Sequence, residues 1–161
     1  MSLIQIHLLL LIIIANGAPI ILRALMGKRL DFAIDAGYRL ADNKPLFGSS
    51  KTWRGVIAAL IITSIAAVLI DYPASTGAQV AIYSVLGDVL SSFIKRRLGM
   101  APSSMAPLLD QVPESLLPAV MLMDTFELDL QSIVVLVCVF IIVELLLSYI
   151  FYKLGIRNRP Y

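Results

Sequence analysis

A chain of 161 residues that is 59% hydrophobic and 15% charged, with a mean hydropathy of +0.89, is too apolar for a soluble domain. Its single cysteine, Cys138, excludes an intramolecular disulfide and a cysteine zinc site, and its single histidine, His7, argues against a histidine-based metal site or triad. The formal net charge of +2 carries little information, but the placement of the charges carries more.

The first apolar run, 3–22, has the roughly 20 residues that a membrane span needs. Asn16 and Pro19 interrupt it, and no Lys or Arg precedes Arg23. It lacks the basic leader of a cleaved signal and reads as a retained span. A polar segment rich in cations and glycine, 23–54, comes next. The apolar stretch 55–70 is ended by Asp71 and Pro73, and 80–94 follows it. A connection holding Pro102, Pro107 and Pro113 leads to 115–128, which is short for a span and carries Pro118. The clearest span is 132–152, with Glu144 near its middle.

All 13 Lys and Arg residues fall in 23–54, at 95–97, or in the tail as Lys153, Arg157 and Arg159. The connections 71–79 and 127–131 contain none. The positive-inside rule then places the segments 23–54 and 95–114 and the tail in the cytoplasm, and it favours a crossing by 115–128 over a re-entrant segment there, which would put the cationic tail on the wrong side. The predicted fold is all-α: one integral membrane domain, 1–161, a helical bundle of about five spans with its N-terminus outside.

Three polar constellations stand out. In the run from Gly87 to Arg97, helical spacing puts Asp88, Ser91, Ser92 and Lys95 on one face. A carboxylate inside an apolar segment costs about 2.5–3.5 kcal/mol on insertion scales, unless it meets a polar partner or cavity. Asp88 is therefore either a structural partner of a cation or a metal-holding group, and Lys95, Arg96 and Arg97 are either anchors or phosphate ligands. The segment 35–55 combines glycines with Lys51, Thr52 and Arg54 just before a helix, a setting that favours anions. An ordinary cytoplasmic loop with Trp53 at the interface explains the same residues. Asp110 gains meaning only if it meets Asp88, where two carboxylates could hold magnesium together with substrate phosphates. Asn16 shares a face with Arg23 and could bond a ligand or join helices. Glu144, with Ser148 one turn on, reads as a structural partner within the bundle, and His7 as interfacial.

Lys51-Thr52-Trp53-Arg54-Gly55, Leu86-Gly87-Asp88, Ser92-Phe93-Ile94-Lys95-Arg96-Arg97 and Leu109-Asp110-Gln111, in this order, resemble the CDP-archaeol synthase family, relatives of the CDP-diacylglycerol synthases (phosphatidate cytidylyltransferases). Asn16 with Pro19, and Asp35-Ala36-Gly37 with Phe47-Gly48, fit the same pattern. The match covers about residues 16–120. The resemblance implies a membrane cytidylyltransferase that moves CMP from CTP to a lipid phosphate, giving CDP-lipid and pyrophosphate with Mg2+. The lipid would be 2,3-di-O-geranylgeranylglyceryl phosphate or a phosphatidic acid. It implies Asp88 and Asp110 as metal ligands, Lys95 as a further catalytic group, and Asn16, Lys51, Thr52, Arg54, Ser92 and Arg96 around CTP. The expected partners are CTP, the lipid and the cell membrane, with no nucleic acid and with the site facing the cytoplasm.

The chain departs from the family at Ser91, where a glycine is usual, and across Met100–Ser104; the His-Gly-Gly of the diacylglycerol enzymes is absent. Two other classes compete. One is a membrane scaffold whose cations bind anionic lipid. The other is a CDP-alcohol phosphatidyltransferase, faintly echoed by Asp35-Ala36-Gly37-Tyr38-Arg39 but without the rest of that aspartate pattern.

Overall fold

The computed structural model describes residues 1–102, 104–106 and 108–156. Ser103, Pro107 and the tail cations Arg157 and Arg159 lie outside the described residues. Five helices make up the fold: α1 Leu3–Met26, α2 Trp53–Leu69, α3 Ala74–Arg97, α4 Gln111–Met121 and α5 Leu130–Lys153. There are no strands among the described residues, only isolated bridges between Ala33 and Thr52 and between Arg39 and Pro45.

Each helix start has a local cause. Ser2 and Gln5 form a reciprocal capping box that satisfies two orphan amides of α1. Thr52 accepts from Gly55 N at α2, and Asp129 accepts from Ser132 N at 2.8 Å at α5. α3 begins directly after Pro73, so it takes in the polar residues 75–79 that lie outside the predicted apolar run. The weakly apolar stretch 115–128 is a helix only as far as Met121. Turns then carry the chain to Leu128, burying Leu122 and Phe126.

α1, α3 and α5 have 24 residues each and are long and apolar enough to cross a membrane. α2 has 17 residues and α4 only 11. At about 1.5 Å per residue, α4 is some 20 Å shorter than its neighbours. This mismatch divides the bundle. One end is a packed core of Leu8, Leu11, Val80, Phe126, Leu136 and others, closed by Tyr72 stacked on Phe126 and by Gln5 donating to Ser132 at 2.9 Å. The opposite end holds the polar connections 27–52 and 98–110 and every described Lys and Arg. The core end carries Asp71, Asp124, Glu127 and Asp129, with no Lys or Arg among the described residues.

Two glycines let α3 meet its neighbours backbone to backbone. A Cβ on Gly77 would lie 2.7 Å from Ser64 Cα of α2, and one on Gly87 would lie 2.7 Å from Glu114 N of α4. Both separations are inside van der Waals contact, and the obstructing atoms are main chain. Gly87→Ala should therefore lower stability by about 1–3 kcal/mol, as overpacking does. Gly17→Ala, where nothing lies within 4 Å, should leave it unchanged or raised. Thermal unfolding in detergent would check both; equal melting temperatures for the two variants would refute the close approach.

Candidate active site

The connection from α1 to α2 is organised around Asp35, which is buried. Its carboxylate accepts from Gly37 N at 3.0 Å, Phe47 N at 3.0 Å and Gly48 N at 2.8 Å. Burial alone would raise its pKa, but these three amides outweigh burial and hold it below the usual value. The loop is then strapped to the end of α3. Arg97 pairs with Asp42 at 2.8 Å, and Lys44 Nζ donates to Arg97 O at 2.8 Å. Phe47 and Arg97 both pack on Phe93. Gly48, at φ +93°, passes beside the Arg96 side chain in a conformation that a larger residue would strain.

Because α2 and α4 are short, they begin level with Asp88, nine residues or about 13 Å in from the end of α3. The space they leave is a cavity of about 740 Å³. Asn16, Lys51, Thr52, Arg54, Asp88, Ser92, Lys95, Arg96 and Asp110, all singled out in the sequence, line it together. Arg23, Lys28, Gln111, Glu114 and Glu144 line it as well.

Lys51 forms an ion pair with Asp88 through both carboxylate oxygens. Burial would lower the Lys51 pKa, but the charges of Asp88, Glu114 and Asp110 outweigh it and raise the value. All three carboxylates are thus close enough to act on one ammonium group. Glu114 also lies beside Asp88. Lys95 pairs with Asp110 at 2.6 Å and donates to Ser104 O at 2.9 Å, while Asp110 accepts from Ala106 N at 3.0 Å. Among the described residues, no three His, Cys, Asp or Glu side chains form a preformed metal site.

The arginines differ sharply. Arg54 Nη1 donates to Gly27 O at 3.1 Å and to Arg29 O, and Nη2 pairs with Asp31 at 3.1 Å. Its fork is occupied in folding the 27–31 turn over the cavity. Arg96 is 2% exposed, and its Nε and Nη1 have no partner among the described residues. Leaving buried donors of a charged group unpaired costs several kcal/mol in a folded protein unless an anion completes them. Thr52 caps α2, Ser92 is buried on the cavity wall, and Asn16 Nδ2 donates to Ile12 O at 3.1 Å. Glu144 accepts from Gln111 Nε2 at 3.1 Å and from Ser148 Oγ at 3.0 Å, tying α5 to the start of α4.

Glu114 is the site residue that sequence reasoning passed over. Its signal is the spacing to Asp110, four residues and one helical turn away, hidden by Pro113 between them.

This arrangement can be set against known proteins. The whole chain, residues 1–161, matches the CarS-like CDP-archaeol synthase family model. The protein belongs to the CDP-archaeol synthase family. Curated CDP-archaeol synthases similar to it include that of Hyperthermus butylicus, 38% identical over 61% of this chain and 59% of the relative. That of Sulfolobus acidocaldarius is 30% identical over 92% of this chain and 91% of the relative. The matched region thus spans about three-fifths of the Hyperthermus protein but nearly all of the Sulfolobus one. A solved structure described as an intramembrane enzyme for archaeal membrane lipid biosynthesis is 28% identical, with a TM-score of 0.75, covering 89% of this chain and 91% of that one.

The family member described here should show an acid transition traceable to Asp35. With its folded pKa below the unfolded value of about 3.9, Asp35 contributes stability that is full above that value and is lost as pH falls through the folded pKa. Asp35→Asn should lose about 2 kcal/mol at pH 7. Its melting temperature should also fall less than the wild type's between pH 5 and pH 3. Parallel melting curves for the two proteins across that range would refute the assignment.

Proposed function

We propose that this protein is a membrane cytidylyltransferase that transfers CMP from CTP to an archaeol-type glycerol diether phosphate, releasing pyrophosphate. Its family supports the reaction class. The observation that carries the site is Arg96: a buried guanidinium whose Nε and Nη1 are unpaired among the described residues, lining a recessed cavity with Lys51, Lys95, Asp88, Asp110 and Glu114. Buried donors of this kind fit the phosphates of a nucleotide, which a guanidinium binds as a fork.

In the proposed step an oxygen of the lipid phosphate attacks the α-phosphorus of CTP. A new P–O bond forms, the bond from that phosphorus to the β-phosphate oxygen breaks, and pyrophosphate leaves. The nucleophile is already an anion near neutral pH, so no histidine or serine has to be activated. The work of the chain is to position two polyanions and to offset their repulsion. Arg96 and Lys51 contact CTP phosphates, Lys95 holds Asp110 and adds positive charge, and Thr52 and Ser92 offer hydroxyls. Arg54 shapes the turn above them.

The donor set fits magnesium, which typically takes one or two carboxylates and completes its shell with phosphate oxygens. Asp88 and Asp110 are the proposed holders, with Glu114 as a third acid on the same cavity and beside Asp88. When bound, the ion would neutralise phosphate charge. The cavity end is proposed to face the cytoplasm, supported by the cations gathered there and the acidic opposite end.

Pyrophosphate release by purified protein in detergent, with CTP, magnesium and either a diether glycerol phosphate or phosphatidic acid, tests this reading. Release should depend on the lipid and favour the diether. Asp88→Asn should reduce it by about 100-fold or more, since a charge-stabilising group is lost. No release with either lipid from folded wild-type protein would overturn the proposal. Arg96→Lys should raise KM for CTP about tenfold, because a point charge replaces a fork. An unchanged KM in that variant would remove Arg96 from the nucleotide site.

A further inference from the structure

Glu144 stands near the middle of α5, and the transfer step above gives it no task. A carboxyl group at such depth in an apolar span is costly and is kept where it has polar work to do. α5 packs on α1 and α4, and on neither α2 nor α3 among the described residues. Both carboxyl oxygens of Glu144 are acceptors: Oε1 takes Ser148 Oγ at 3.0 Å, and Oε2 takes Gln111 Nε2 at 3.1 Å.

The bond to Gln111 has a directional consequence. An amide has a donor side and an acceptor side, and a carboxylate can meet only the donor side. With Nε2 turned to Glu144, Oε1 faces away and accepts from Leu108 N at 3.0 Å. Gln111 is buried, and Ser115 Oγ donates to its carbonyl at 2.8 Å, so the residue is held at both ends. Leu108 needs such a hold. Its φ is +65°, in the left-handed region that a leucine enters only at a cost, and its side chain is exposed, so core packing does not offset that cost. The same turn carries Asp110. It is closed by Asp110 N donating to Ala106 O at 3.1 Å and by Ala106 N donating to Asp110 Oδ2 at 3.0 Å, which leaves Oδ1 to Lys95.

We propose that Glu144 is a positioning residue for the transfer: through Gln111 it fixes the turn at Leu108 and so the direction in which Asp110 faces the cavity. What the relay uses is the reach and the acceptor oxygen of Glu144, not its charge. The inference rests on the cytidylyltransferase reading, with Asp110 as a metal holder, and it gives α5 a part in the site. Losing an outer partner of a metal-holding group typically costs about 10–100-fold in metal affinity or activity.

The test sets Glu144→Asp, which keeps the charge and draws the carboxylate back by one carbon–carbon bond, against Glu144→Gln, which drops the charge and keeps an acceptor in place. Hydrogen–deuterium exchange at Leu108 is followed in the ligand-free protein in detergent. It should quicken about tenfold in Glu144→Asp, where one hydrogen bond is lost, and match the wild type in Glu144→Gln. In pyrophosphate release, half-saturating magnesium should rise about tenfold in Glu144→Asp and stay within about threefold of wild type in Glu144→Gln. KM for CTP at saturating magnesium should stay within about twofold in both, because Arg96 and Lys51 are untouched. Gln111→Leu should behave as Glu144→Asp does, and combining the two should cost nothing further, because they act through one bond. Unchanged exchange at Leu108 in Glu144→Asp, faster exchange with unchanged magnesium dependence, additive losses in the double variant, or greater damage from Glu144→Gln than from Glu144→Asp would each overturn the relay. A wild type that releases pyrophosphate with neither lipid would instead refute the cytidylyltransferase reading, and exchange at Leu108 would still decide whether Glu144 holds the turn.

Discussion

The close approach of α3 and α4 at Gly87 is the constraint on which the site depends. Without a side chain at this position, the backbone at Pro113 and Glu114 comes directly against α3. The next residue on α3 is Asp88, so the approach that packs the helices also brings a second acid to it. The same contact fixes where α4 begins, and with it Gln111, Asp110 and the pairings to Glu144 and Lys95. Any side chain at Gly87 pushes these groups apart together, because main-chain atoms cannot yield as a flexible side chain can.

A polar site in an apolar bundle raises an energetic question that the pairing pattern answers. Charges withdrawn from water are tolerated when matched and hydrogen-bonded. Here Lys51 is matched by Asp88, Lys95 by Asp110, Arg54 by Asp31 and Arg97 by Asp42. The pairs bridge different chain segments and act as fasteners between the loop 27–52, α3 and the start of α4. Arg96 is the buried exception among the described residues: its Nε and Nη1 have no partner there, and unpaired donors at the wall of a cavity suit an anionic ligand. The apolar core at the opposite end supplies the rigidity that lets this end remain open.

Much of this was legible in the sequence for simple physical reasons. Helices follow from long apolar runs that can satisfy their backbones in lipid only internally. The Lys51–Gly55, Gly87–Arg97 and Leu109–Gln111 stretches carried the site because charges inside or beside apolar segments need a purpose. Other features were not legible. Arg54 and Arg96 are both arginines beside an apolar span, and nothing local says that one fork closes on Gly27, Arg29 and Asp31 while the other keeps two donors unpaired among the described residues. Glu114, one turn beyond Asp110 and next to a proline, had no reason to be singled out until α4 was laid against Gly87.

The sequence by itself determined an all-helical membrane chain, the family to which it belongs, and the residue types gathered near one end of the bundle. Hydropathy, charge placement and short motifs are properties of neighbouring residues, and they survive without a fold. The tertiary structure alone decided that α2 and α4 stop short and that the gap they leave becomes one cavity. Those outcomes depend on which backbones can touch and which side chains are already paired, and that is settled only when distant segments pack together.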